Sequence, residues 1–170
     1  MNESCISIPA GGYAVAEPPD AERSALLGAL ARQALVAEGE LTPKPGLVDR
    51  RGSGAHTDLS LDLMRRSALA IEPFICRMAF QSANKRPSAR LRATLAATGR
   101  AAESAMVRVS KGSNTHKGAI WTLGLLAASA ATTQSGPDAF DIARTAGVIA
   151  SFEGAQIPKL VSHGQLVLLC

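Results

Sequence analysis

Leu61, Met64, Ala68, Ile71, Ile75 and Met78 recur at steps of three and four residues. That spacing keeps to one face of an α-helix but would scatter over both faces of a strand, so it predicts an amphipathic helix over about 59–82. Pro73 falls inside the stretch and predicts a kink or a break, because it has no N–H and its ring crowds the carbonyl four residues back. The same period returns along the chain. Ala25, Leu26, Ala29, Leu30, Gln33, Ala34 and Val36 predict a helix from a cap at Asp20 to about Glu38. Leu91, Leu95, Thr98, Ala102, Ala105, Met106 and Val109 predict a third helix. Ile120, Leu123, Leu126, Ala127 and Ala130 predict a fourth over about 115–133, and Phe140 to Phe152 a fifth. No stretch alternates as a strand would, and the low aromatic content of 4% agrees. The expected fold class is all-α, a helical bundle. Its 170 residues suit one domain over 20–170, behind an irregular lead-in at 1–19 rich in Pro and Gly.

The charge pattern narrows the partners. A net charge of +4 is mild and mostly scattered, and no basic tract interleaves with aromatics, so nucleic acid is not an expected partner. Small phosphorylated ligands suit the balance better. No apolar run approaches the ~20 residues that a membrane span needs, and the N-terminus lacks the basic start and apolar stretch of a secretion signal. Cys5, Cys76 and Cys170 are odd in number and widely spaced, which predicts a reducing, cytoplasmic setting without disulfides or structural zinc.

Two polar loops, at 38–58 and 110–117, interrupt the apolar pattern. The first, containing "LTPKPGLVDRRGSGAHTD", is too rich in Pro and Gly for a regular helix. With its flanks it carries Glu38, Glu40, Lys44, Asp49, Arg50, His56 and Asp58. The second carries Ser113, Asn114, Thr115, His116 and Lys117 directly before the apolar fourth helix. Both lead into apolar helices, so both are expected at one end of the bundle. A helix start has unpaired N–H groups and the positive end of the macrodipole, so Lys117 there needs a negative partner, either a polyphosphate or carboxylates. Asn114 or Thr115 can cap that helix while His116 and Lys117 face a ligand. Glu38, Asp49 and Asp58 are hard oxygen donors suited to Mg²⁺, which binds through one or two carboxylates plus substrate phosphates. Plainer roles exist for each: Thr57 or Asp58 as a cap for the helix near 59, Lys117 as a solvated lysine, His116 as a hydrogen-bonded structural residue, Pro43, Pro45 and Gly46 as turn formers. "GSNTHKG" is not a P-loop, because no Gly precedes its Lys, no Ser or Thr follows, and no strand leads in.

With those residues in hand, the chain resembles the triphosphoribosyl-dephospho-CoA synthase family. The resemblance rests on "TPKPGLVDRRGSGAHTDL" (42–59), "AAESAM" (101–106) and "GSNTHKGAIWTLGLL" (112–126), in that order, within a stretch from about Leu30 to Gln165. It leans to the branch serving malonate decarboxylase, with the citrate lyase branch as the alternative. It implies an all-α transferase. The ribose 2′-hydroxyl of dephospho-CoA attacks the anomeric carbon of ATP and adenine leaves. The product is the precursor of a prosthetic group later attached to an acyl-carrier subunit. Carried onto this chain, the resemblance nominates Glu38, Asp49, His56 and His116 for catalysis. It nominates Lys44, Ser113, Asn114, Thr115 and Lys117 for substrate phosphates. Asp49, Asp58 and Glu103 are nominated for Mg²⁺.

The resemblance departs after "VSHGQ" (161–165), where this sequence reads "LVLLC" and family members continue with further helices. The expectation is a domain lacking those helices, with apolar faces on its first helices that a homodimer would cover. Two other function classes stand beside the transferase: a non-catalytic helical remnant that binds a nucleotide or a partner, and a metal-dependent phosphohydrolase using the same carboxylates.

Overall fold

A computed structural model describes residues 19–132 and 137–152, so Cys5, Cys170, most of the lead-in and the "VSHGQLVLLC" ending lie outside the described residues. The described chain forms five helices in the predicted order: α1 (Pro19–Glu40), α2 (Leu61–Ser82), α3 (Ala89–Val109), α4 (Lys117–Ala131) and α5 (Ala139–Ser151). The all-α expectation holds.

The local signals differ in detail. Pro19 opens α1, as proline does where the first N–H is unpaired anyway. Asp20 therefore sits in the first turn and not at the cap, and its carboxylate accepts from Asn84 Nδ2 at 2.9 Å. The cap of α2 is Ser60, whose Oγ accepts from the Leu63 N–H at 3.2 Å, and not Thr57 or Asp58. Pro73 does not split α2. It lies on the exposed face, and the carbonyl it leaves without its helical donor is that of exposed Leu69, which solvent can reach. Ser88 and Asp138 cap α3 and α5 through bonds to Leu91 and Asp141.

α2 is the central element and packs against α1, α3 and α4. Its stripe of Ala68, Ile71, Ile75 and Ala79 meets Leu35 of α1, Ala102 and Met106 of α3, and Ile120 and Ala127 of α4 in one core cluster. Met78 joins a second cluster with Leu91, Leu95, Leu125 and Ile149. The small residues of α4 permit a close approach: a Cβ on Gly124 would fall 2.3 Å from Met78 Sδ. Leu26 and Leu30 of α1 are 58% and 48% exposed among the described residues.

Candidate active site

The two polar loops do lie together, at the end of the bundle where α1 finishes and α2 and α4 begin. Ser113 Oγ donates to the Asp58 carbonyl at 3.4 Å and joins them.

The first loop is organised around two carboxylates. Asp49 is 3% exposed. Its oxygens accept from the Lys44 N–H at 2.9 Å, the Arg51 N–H at 2.8 Å and the Arg51 guanidinium at 2.7 Å. Those donors, Arg51 first, hold its carboxyl well below the usual carboxylate range. Glu40, the last residue of α1, bridges Arg50 at 2.7 Å and Arg65 of α2 at 2.6 Å. Buried Val48 and a bridge between Asp49 and Gly52 fix the rest of the loop. Gly54 is required in its turn: its φ is +61°, and a Cβ there would meet the Leu47 carbonyl at 2.5 Å.

These contacts correct two sequence expectations. Asp49 is buried and its carboxylate is engaged by Arg51 and two backbone N–H groups, the contacts of a loop anchor. The proposed metal trio does not assemble either: Asp49 is clasped by Arg51, Glu103 pairs with Lys117, and Asp58 is an exposed loop residue 4.0 Å from His56 Nδ1. Among the described residues no three His, Cys, Asp or Glu side chains converge as a metal site. Among the described residues the three carboxylates do not form a preformed Mg²⁺ cage.

The second loop is built differently. The N-cap of α4 is His116, whose side chain makes no capping bond, and not Asn114 or Thr115; Asn114 Oδ1, two residues earlier, accepts from the Lys117 N–H at 3.1 Å. Lys117 Nζ lies 2.7 Å from Glu103 Oε1, so the negative partner its position demanded is a carboxylate of α3. Thr115 Oγ1 lies 2.5 Å from Ser67 Oγ, which lies 3.1 Å from His116 Nδ1. His116 is 5% exposed, and its N–H donates to Met106 Sδ at 3.2 Å. Its Nε2 is buried and has no hydrogen-bond partner. Burial pushes the imidazole pKa below its ordinary 6.5, with the charge of Glu38 working against the shift. Glu38 itself holds Lys44 Nζ at 3.0 Å.

Two arrangements of protons satisfy the Thr115–Ser67–His116 chain. In one, Nδ1–H donates to Ser67 and Nε2 is a bare lone pair; in the other, Ser67 donates to Nδ1 and Nε2 carries the hydrogen. Either way a buried polar atom lacks a partner, which costs about 1–3 kcal/mol until something binds it. Sequence reasoning missed Ser67. Its signal was a small polar residue on the buried side of the α2 stripe, one turn before Ile71.

The described residues thus form five helices, with a buried imidazole at the start of α4. A family model described as ATP:dephospho-CoA triphosphoribosyl transferase matches residues 24–160. The chain therefore belongs to that family, and the three motifs behind the resemblance fall inside the matched stretch. Among the relatives the chain matches, three share the name "Probable 2-(5''-triphosphoribosyl)-3'-dephosphocoenzyme-A synthase". The protein of Stutzerimonas stutzeri (strain A1501) is 50% identical over 152 residues, 88% of this chain and 51% of the relative. That of Pseudomonas aeruginosa (strain PAO1) is 46% identical over 154 residues, 90% of this chain and 53% of the relative. That of Pseudomonas putida is 43% identical over 153 residues, 89% of this chain and 54% of the relative. The chain thus spans about half the length of the curated relatives it matches. No solved structure matches the chain. No helix among the described residues is long and apolar enough to cross a membrane.

Proposed function

We propose that this site transfers a triphosphoribosyl group from ATP to dephospho-CoA. The 2′-hydroxyl oxygen of dephospho-CoA bonds to the anomeric carbon of the ATP ribose. The bond from that carbon to adenine breaks, and the base leaves with the electron pair. The hydroxyl gives up its proton and adenine gains one, so the products are 2'-(5''-triphosphoribosyl)-3'-dephospho-CoA and free adenine. The observation that carries the reading is the buried, unpartnered Nε2 of His116, with its other nitrogen held by Ser67, at the start of α4. A buried imidazole of lowered pKa is neutral near pH 7 and suited to accept the hydroxyl proton.

The other nominated residues take roles around it. Glu38, whose charge acts on His116, opposes the positive charge that develops on the ribose. His56, beside Asp58, supplies the proton to adenine. Ser113, Thr115, Lys44, Lys117 and the first N–H groups of α4 face the triphosphate. Mg²⁺ comes in as the counter-ion of the phosphates, with Asp58 the nominated carboxylate least engaged by neighbours, and no step is assigned to it. The product serves an acyl-carrier subunit of malonate decarboxylase, or of citrate lyase, through a second transferase in the cytoplasm. A homodimer covers Leu26 and Leu30 of α1.

The test is to incubate the folded chain with ATP, Mg²⁺ and dephospho-CoA and follow free adenine by chromatography. Adenine that forms only when dephospho-CoA is present is the expected result. Inorganic phosphate without adenine would return the phosphohydrolase, and neither product would leave a helical remnant.

A further inference from the structure

A cavity of about 220 Å³ opens between α3 and α4, and Arg92, Ala96, Arg100, Glu103, Lys117 and Trp121 contribute to its walls. A cleft of about 500 Å³ adjoins it along α3, sharing Arg100 and Glu103 and reaching Arg108. Neither belongs to the loop chemistry described above, although Lys117 links the two places: it borders the cavity and directly follows His116.

The cavity has a planar wall. Arg92 Cζ lies 4.0 Å from the centroid of the Trp121 ring, so guanidinium and indole are stacked. Both groups stack on nucleobases. The cavity is also rich in unused positive charge. Lys117 and Glu103 neutralise one another. Arg92 and Arg100 have no carboxylate partner among the described residues, and Arg92 Nε is a buried donor with no acceptor. Burial and the neighbouring charge of Arg100 both weaken the hold of Arg92 on its proton, which is the signature of two cations set close without an anion between them. Size limits the occupant. A volume near 220 Å³ is below the ~300 Å³ where drug-sized ligands begin. It suits one heterocycle, with any charged tail lying in the adjoining cleft.

We propose that the α3–α4 groove is an adenine-nucleotide site, in which a purine extends the Arg92–Trp121 stack and its phosphates lie beside Arg100 and Arg108. The identity of the nucleotide rests on the transferase reading, since ATP and dephospho-CoA both carry adenine and phosphates. The groove's wall includes Lys117, which directly follows His116 in the chain.

Trp121 is the sole tryptophan of the chain, so its fluorescence reports on this groove directly. The experiment titrates the full chain with ATP, dephospho-CoA, adenosine and inorganic tripolyphosphate. Saturable quenching by ATP or by dephospho-CoA is expected, and the one that quenches at lower concentration is the occupant. Exposed Arg100→Glu should weaken that quenching at least 10-fold, and Ala96→Phe, which fills the cavity without touching a charge, should abolish it. Circular dichroism confirms that both variants fold. No quenching by either nucleotide at millimolar concentration, or quenching unchanged in both variants, overturns the proposal. The same proteins are assayed for adenine release. Wild-type release with unchanged rate and KM in both variants sinks the groove and spares the transferase. Quenching that the variants lose, with no adenine released by any protein, sinks the transferase and spares the groove.

Discussion

The two loops that meet at one end of the bundle hold polar groups in opposite ways. In the loop that follows α1, the charges satisfy each other: Asp49 is spent on Arg51 and two backbone N–H groups, and Glu40 on Arg50 and Arg65. In the loop before α4, the one buried ionisable group keeps an unbonded nitrogen. The first loop is richer in charge but has less chemistry to offer, because a carboxylate saturated with donors is a poor base. A buried imidazole with one nitrogen held by Ser67 and the other unbonded is a better candidate. Density of charged residues therefore does not track unmet bonding capacity here.

The sharpest way to break this contrast is to exchange the key residue of each loop. His116→Gln should lower adenine release by at least ~10²-fold while leaving thermal unfolding nearly unchanged. Asp49→Asn should lower the unfolding temperature and leave turnover of the folded fraction within about 10-fold. Equal losses of turnover in the two variants would erase the distinction. Ser67→Ala should cost about 10-fold, a part of what a general acid or base contributes, and should move the acid limb of the pH–rate profile downward, since the protonated imidazole loses its acceptor. A profile that keeps its shape would reduce Ser67 to packing.

Acid should separate the loops by pH. Burial lowers the His116 pKa in the fold, so its contribution to stability is full above the ordinary 6.5 and is lost as pH falls toward its folded value. Asp49 is also depressed, from 3.8, so its contribution is full above that value and is lost only in stronger acid. Unfolding temperature measured against pH should therefore decline in two steps, with His116→Gln flattening the upper and Asp49→Asn the lower. The smallest effect belongs to the exposed end of the first loop. Arg50→Ala should shift the unfolding temperature by less than ~3 °C, because the pair it breaks is solvent-exposed. A larger shift would mean that the Glu40 bridge, and not Asp49, holds the loop.

Much of the fold was legible in the sequence. The steps of three and four that gave the α2 stripe depend only on helix geometry, and all five helices followed from them. The boundaries depended on single hydrogen bonds and were less legible: Asp58 and Ser60 are both good caps, and only the packed backbone chose Ser60. The joining of the two loops was foreseen from the apolar helices behind them. The roles within them were not, because Asp49 looks the same in sequence whether it faces a metal or Arg51. Ser67 was hidden by its setting, a small residue among larger apolar ones. The Arg92–Trp121 stack spans two helices whose facing sides are fixed only by the tertiary packing.

The central place of α2 has a consequence for how the molecule opens. Its amides are covered on three sides, by α1, α3 and α4, whereas among the described residues α5 rests on α4 and α3 alone. Hydrogen exchange should then be slowest along the buried part of α2 and fastest along α5, since amides under many neighbours exchange only when the whole fold opens. Ser67 lies on that slowest helix. The hydroxyl that steadies the imidazole of His116 is thus anchored in the last part of the chain to let go.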